Sequence, residues 1–251
     1  MKVSILIPAR MAATRFPGKP LFKINGKPMI QWVYERASRA DADTVLVATD
    51  SEEILNCVRA FGGRACMTSP DHENGTQRIA EVARQLDTDL VINVQGDEPC
   101  IHPDAVNAVT ARLVEDPSLE MATLAEELTD TAQIFNPNTV KLVTDRRRLA
   151  LYFSRAPIPY HKHPGMHGPT WPEAPDTPPA LRHVGIYGYR KDFLMRYVDE
   201  PPCALERIEG LEQLRALYMG ARIGVSITRH PSIGVDTPED VARALAYLTS
   251  S

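Results

Sequence analysis

Cysteine is scarce and unpatterned in this 251-residue chain: Cys57, Cys66, Cys100 and Cys203 form no CxxC pair. That gives no support to a zinc ribbon or a disulfide framework, and a reducing, cytoplasmic setting is the simple reading. Long apolar runs are missing too. None approaches the ~18 residues that suggest a membrane span, and the short run that begins the chain meets Arg10 too soon for a signal peptide. No membrane partner is expected. The balance of 28 Lys plus Arg against 32 Asp plus Glu leaves a net charge of −4, which argues against nucleic acid as a general partner. There is no internal repeat and no low-complexity segment. A hydrophobic fraction of 43% over this length suffices for a substantial core without staples.

One local absence is more informative. From Met1 to Tyr34 there is no Asp or Glu, yet the stretch holds Lys2, Arg10, Arg15, Lys19, Lys23 and Lys27. A basic patch in an acidic protein suggests a local anion site. Charge alone leaves a solvated basic face as the alternative.

The apolar patterning alternates strands with helices. Val3–Ile7 reads as a buried strand ending at Pro8, followed by a helix over Ile30–Ala40 and a strand over Thr44–Thr49. Asp50-Ser51-Glu52-Glu53 opens a helix that runs to Ala60. A weaker strand over Arg64–Thr68, a helix over Thr76–Leu86 and a strand over Asp89–Val94 come next. This order implies an α/β protein with a mainly parallel sheet and helices on both faces, whose ligands bind beyond the carboxyl ends of the strands. The middle reads differently. Glu120–Glu126, Val140–Thr144, Leu149–Phe153 and His183–Tyr189 are strand-like with few helices between them, suggesting a β-rich subdomain over approximately 120–190 inserted into one 1–251 domain. Eight prolines from Pro157 to Pro179 mark a long loop. Its His161, His163 and His167 read as part of a mobile or interface segment, with a transition-metal site as the alternative. Ile208–Met219 reads as one helix, Arg222–Thr228 as a strand and Pro238–Leu248 as the last helix.

Three motifs sit where this pattern puts ligands. Pro8-Ala9-Arg10-Met11-Ala12-Ala13-Thr14-Arg15-Phe16-Pro17-Gly18-Lys19-Pro20-Leu21 follows the first strand. It is neither GxGxxG nor GxxxxGK[ST]. Its small residues let backbone amides approach an anion. Arg10, Arg15 and Lys19 can neutralise a triphosphate, arginine with forked contacts and lysine as a point charge. Asn93-Val94-Gln95-Gly96-Asp97-Glu98-Pro99 runs a buried strand into a carboxylate. Asp97 there can hold Mg²⁺, though an Asp after a strand also serves as a helix cap or turn residue. In Asp236-Thr237-Pro238-Glu239-Asp240, Thr237 is the cap and Pro238 the first helical residue, leaving Asp236 for another task.

These motifs resemble those of the 3-deoxy-manno-octulosonate (Kdo) cytidylyltransferases, the CMP-Kdo synthetases. The likeness covers nearly the whole chain, including Ile24-Asn25-Gly26-Lys27-Pro28-Met29-Ile30, Val47-Ala48-Thr49-Asp50, Ala150-Leu151-Tyr152-Phe153-Ser154-Arg155-Ala156, His183-Val184-Gly185-Ile186-Tyr187-Gly188-Tyr189-Arg190, Leu211-Glu212-Gln213-Leu214-Arg215 and Gly234-Val235-Asp236-Thr237-Pro238-Glu239-Asp240. It implies a Rossmann-like nucleotidyltransferase fold, with the inserted unit serving sugar binding and homodimer formation. It also implies CTP and Kdo as substrates, Mg²⁺ dependence and a role in lipopolysaccharide synthesis. It places metal carboxylates at Asp97 and Asp236, and catalytic duty on Arg10, Lys19 and Asp97. Pro8, Ala9, Arg10, Arg15 and Lys19 are expected on the nucleotide, together with Asn74, Gly75 and Arg78, the last placed to read the base. Gln95, Arg155, His183, Tyr187, Glu212 and Gln213 are expected at the sugar. The family pattern has an acid where Gln77 stands, which puts the role of Gln77 in doubt. Another acidic sugar, or nucleotide binding without catalysis, are the rival readings.

Overall fold

The structure, a computed structural model, describes residues 1–12, 16–128, 130–160, 180–230, 232–235 and 237–250. The strands are β1 Val3–Ala9, β2 Lys23–Ile24, β3 Lys27–Pro28, β4 Thr44–Thr49, β5 Ala65–Met67, β6 Leu90–Asn93, β7 Met121–Glu127, β8 Lys141–Thr144, β9 Ala150–Ser154, β10 Leu181–Arg190 and β11 Ile223–Ile227. The α-helices are α1 Met29–Ala37, α2 Glu52–Ala60, α3 Gly75–Gln85, α4 Pro103–Glu115, α5 Thr131–Phe135, α6 Lys191–Asp199, α7 Ala204–Glu209, α8 Gln213–Tyr218 and α9 Asp240–Ser250.

The central sheet has the order β11-β7-β10-β6-β1-β4-β5. β5, β4, β1 and β6 are parallel neighbours, β11 is parallel to β7, and β10 runs antiparallel to both β6 and β7. The mainly parallel α/β architecture anticipated from the alternating pattern is therefore present. Its unbroken apolar β1 follows from burial on both faces. Ile5 and Ile7 join Val33, Val58, Ile92 and Val109 in one core, and Leu6 joins Ile79, Val91, Phe193 and Leu214 in the other. Truncating one of these buried leucines or isoleucines to alanine costs about 2–5 kcal/mol.

Three features differ from the sequence reading. First, β7 and β10 belong to the central sheet itself, and the β8–β9 hairpin hangs from the amino-terminal end of β10 through Leu181 and Arg182. A bulge between Val184 and Tyr187 lets β10 pair with β7 on both sides of the irregularity. Second, Ile208–Met219 is not one helix. Gly210 adopts φ +63 at the end of α7, a left-handed cap that stops one helix and lets α8 start afresh. Third, α4 lies in a stretch that the sequence reading left unassigned. Pro103 at its first turn and buried Ala105, Val106, Val109 and Leu113 show why it forms.

Lys141, fully buried at the start of β8, donates to the carbonyls of Asn136 (2.9 Å), Thr139 (2.5 Å) and Arg155 (2.6 Å). Burial pushes its ammonium pKa down, and those carbonyls replace the lost water.

Candidate active site

The carboxyl ends of β1 and β6 and the amino end of α3 converge on a cavity of about 360 Å³. It is lined by Pro8, Ala9 and Arg10, by Phe16, Lys19 and Pro20, by Asn74, Gly75 and Arg78, and by Gln95, Gly96, Asp97 and Glu212. Two glycines make the convergence possible. A Cβ on Gly96 would stand 2.7 Å from the Pro8 carbonyl oxygen, and one on Gly75 would stand 2.9 Å from Pro8 Cγ. Any other residue at either point would push β1 away from β6 or α3.

The first basic loop delivers its lysine through a turn. Gly18 takes φ +71 and leads into a short 3-10 turn, Lys19–Leu21. Lys19 Nζ then reaches Asp97 Oδ2 at 2.7 Å. The contact lies mostly out of solvent, with side-chain exposures of 12% for Lys19 and 34% for Asp97, so it is screened less than a surface pair. Arg10 is exposed, and its Nη1 donates to the Glu73 carbonyl at 3.3 Å.

The amino end of α3 forms the facing wall. Asn74 Oδ1 accepts from the Gln77 amide at 2.9 Å, and Gln77 Oε1 accepts from the Glu73 amide at 2.9 Å. Gln77 thus supplies the reciprocal half of a capping arrangement without a negative charge. The amide groups of a helix amino end, together with the helix dipole, make such an end receptive to anions. Arg78 is buried behind it. Its Nη2 pairs with Asp50 Oδ2 at 2.6 Å, and its Nη1 donates to Thr68 Oγ1 at 2.5 Å and to the Ser69 carbonyl at 3.3 Å.

On the opposite side Thr76 Oγ1 donates to Glu212 Oε2 at 2.9 Å. Burial raises the Glu212 pKa, opposed by the Thr76 hydrogen bond and by the charge of Arg215. Behind Glu212, Tyr187 Oη donates to Gln213 Oε1 at 3.0 Å, and Gln95 Nε2 donates to Asn93 Oδ1 at 3.2 Å. Tyr187 and Asn93 are cross-strand neighbours. Asn93 Nδ2 and Gln213 Nε2 are buried with no acceptor among the described residues, and such orphaned donors call for a partner.

His183 stands beside Tyr187, with ring centroids 5.3 Å apart, and edge-on to Phe153 at 5.2 Å. Some of its surface is open, but protein atoms crowd the ring. Desolvation, helped by Arg182, pushes its pKa down to about 3. The Thr123 hydroxyl donates to the Ile186 carbonyl at 2.8 Å and lies 3.0 Å from His183 Nε2. With the hydroxyl proton so used, Nε2 carries the imidazole proton and donates to Thr123.

Ten of the residues anticipated from sequence therefore line one cavity: Pro8, Ala9, Arg10, Lys19, Asn74, Gly75, Arg78, Gln95, Asp97 and Glu212. Tyr187, Gln213 and His183 lie behind it. Arg155 is turned elsewhere: its guanidinium donates to the carbonyls of Glu209 (2.6 Å), Pro137 (3.0 Å) and Gly210 (3.4 Å). Arg15, Asp236, His161, His163 and His167 lie outside the described residues. The sequence reading missed Phe16 and Pro20 as lining residues and Thr76 as the partner of Glu212; the Thr76 signal was its place in the first turn of a helix after a strand.

A family model described as cytidylyltransferase matches residues 4–223. The 3-deoxy-manno-octulosonate cytidylyltransferase of Aliivibrio fischeri is 49% identical over 99% of this chain and 100% of its own. That of Syntrophotalea carbinolica is 50% identical over 99% of both chains. The chain belongs to the 3-deoxy-manno-octulosonate cytidylyltransferase family. A solved structure of CMP:2-keto-3-deoxy-manno-octonic acid synthetase complexed with CTP is 42% identical, with a TM-score of 0.90 over 100% of this chain and 99% of that one. More distant cytidylyltransferases share only the fold; one from Leptospira borgpetersenii is 16% identical with a TM-score of 0.65. For a cytidylyltransferase, a cavity joining three cations, a helix amino end and a carboxylate just after a strand is the expected equipment.

Proposed function

We propose that this chain transfers CMP from CTP to the anomeric hydroxyl of Kdo, giving CMP-Kdo for lipopolysaccharide synthesis. The hydroxyl oxygen bonds to the α-phosphorus, the bond from that phosphorus to the bridging oxygen breaks, and pyrophosphate leaves with the electron pair. The hydroxyl gives up its proton to solvent. The observation that carries the reading is the Lys19–Asp97 contact inside a cavity also lined by Arg10 and the amino end of α3.

Phosphoryl-group transfer is mostly positioning and charge stabilisation. The α3 amino end and Arg10 hold the triphosphate, and Lys19 steadies charge that develops on it. Arg15 is assigned to the same phosphates on family resemblance. Arg78, fixed by Asp50, Thr68 and Ser69, shapes the base end of the cavity. Gln95 and Glu212 face the sugar, with Asn93 and Gln213 buried behind them. Tyr187 and His183 support that wall. Arg155 reaches the sugar only by releasing the backbone carbonyls it now holds.

Magnesium fits the donors present. Asp97 offers hard carboxylate oxygens to the cavity beside the expected triphosphate. Asp97 would hold the ion, with Asp236 as the second carboxylate. When bound, the ion supplies positive charge against the phosphate oxygens.

A homodimer is proposed on the exposed apolar side chains of Leu151, Leu205, Ile208 and Tyr218, carried by β9, α7 and α8, which pack on one another. Cytoplasmic residence suits four free cysteines, and no helix among the described residues is long and apolar enough to cross a membrane.

The test is pyrophosphate release with CTP, Mg²⁺ and a panel of Kdo, an 8-amino analogue and a nonulosonic acid. Kdo-dependent release is expected. Preference for another sugar would reassign the acceptor, and no release with any sugar would leave a nucleotide-binding protein.

A further inference from the structure

A second cluster lies outside the cavity. His102 precedes α4, Asp104 lies in its first turn, and His230 follows β11. Two chain segments far apart in sequence bring the imidazoles into a face-to-face stack, with centroids 3.7 Å apart and planes within 1°. Asp104 Oδ2 lies 3.5 Å from His102 Nδ1 and 3.5 Å from His230 Nε2. The ligand atoms of all three residues fall within 4.8 Å of one another.

We propose that His102, Asp104 and His230 form a binding site for a borderline divalent transition ion of the Zn²⁺ class, distinct from the magnesium expected at Asp97. Two imidazoles and one carboxylate are the donors such ions take and Mg²⁺ does not favour. A tetrahedral ion with ligands at about 2.0–2.2 Å spaces them about 3.3–3.6 Å apart, and both nitrogen-to-carboxylate distances already have that value. Side-chain exposures of 29% for His102, 69% for Asp104 and 39% for His230 leave an entry path. Binding asks for two adjustments. The parallel rings fan apart so that both lone pairs meet one ion. His102 Nδ1 also gives up the Asp104 amide, which it now caps at 3.2 Å. These changes make the site modest in affinity.

The location gives the site a consequence. His102 ends the segment that carries Asp97, and His230 begins the segment that leads to Asp236. The same two segments are already joined where the Val235 amide donates to the Asp97 carbonyl at 2.9 Å and Ser232 Oγ donates to Glu98 Oε2 at 2.6 Å. An ion held by His102, Asp104 and His230 is a further clasp between the segments that carry both expected magnesium carboxylates.

Calorimetric titration of the full chain with Zn²⁺, in buffer containing excess Mg²⁺, tests this. Saturable binding is expected. His230→Ala and Asp104→Asn should each weaken it on the order of tenfold or more, while both variants keep the wild-type far-ultraviolet spectrum. A variant with His161, His163 and His167 all changed to alanine should bind as wild type does. Substituting Co²⁺ should give visible d–d bands without a thiolate charge-transfer band. Equal binding by wild type and both site variants, loss that follows the three loop histidines, or a thiolate band would each overturn the proposal.

Discussion

Lys19 Nζ and Asp97 Oδ2 meet at 2.7 Å across 78 residues of chain. One arrives on the turn after β1, the other on the loop after β6. The contact sets the cation proposed for the phosphates against the carboxylate proposed for magnesium. Groups fixed in this way need little rearrangement during the reaction, the condition under which electrostatic stabilisation is most effective.

Lys19→Ala removes that cation and its ion pair with Asp97. Turnover with CTP should fall on the order of 10²–10³-fold, with KM for CTP raised as well. Steady-state pyrophosphate release measures both, and unchanged kinetics would remove Lys19 from the site.

Glu212 gives a prediction about stability. Burial raises its pKa above the ordinary 4.5, so the fold favours the protonated form. The stability linked to that proton is present below the unfolded pKa and is lost as pH rises through the folded value. Glu212→Gln keeps an acceptor for the Thr76 hydroxyl without the charge. Its Tm should exceed that of wild type at pH 7.5, and the gap should close toward pH 4. A gap that widens toward pH 4 would contradict the assignment.

His183 should stay neutral throughout the working range. Desolvation lowers its pKa from the ordinary 6.5 to about 3. The stability linked to the neutral ring is present above the unfolded value and is lost as pH falls toward the folded one. Its imidazole NMR signals should not titrate between pH 8 and pH 5, where exposed histidines do. A midpoint near 6.5 would show that the ring is solvated.

Gly96→Ala tests the close approach of the two strand ends. Its Cβ would stand 2.7 Å from the Pro8 carbonyl, which is backbone and has little room to give. Overpacking of this kind costs about 1–3 kcal/mol, so denaturant unfolding should show a loss in that range together with reduced turnover. Wild-type values for both would mean that the strand ends tolerate separation.

How far the sequence disclosed this arrangement depended on whether the deciding contacts were local. β1, β4 and α2 follow from their own residues: a doubly buried apolar run, or Ser51 accepting the Ile54 amide at 3.4 Å. The cavity wall was legible for the same reason, since strand ends and the first turn of α3 are local features. α4 is legible too, through Pro103 and its 3.6-residue apolar period. Membership of β7 and β10 in the central sheet was not, because the pairing partner of a strand is a tertiary property. The break at Gly210 was not either, because a single glycine within an apolar period is compatible with a continuous helix, and its left-handed φ is seen only in the fold. Arg155 shows a further limit: a family-like block names a cation, but only the fold shows that three backbone carbonyls hold it.

Asp97 is the cavity carboxylate on which turnover is proposed to depend. Asp97→Asn keeps the size of the side chain and removes its charge. With CTP, Kdo and Mg²⁺, the variant should retain the wild-type circular dichroism spectrum and lose most pyrophosphate release. Near-wild-type release from a folded Asp97→Asn protein would contradict the account.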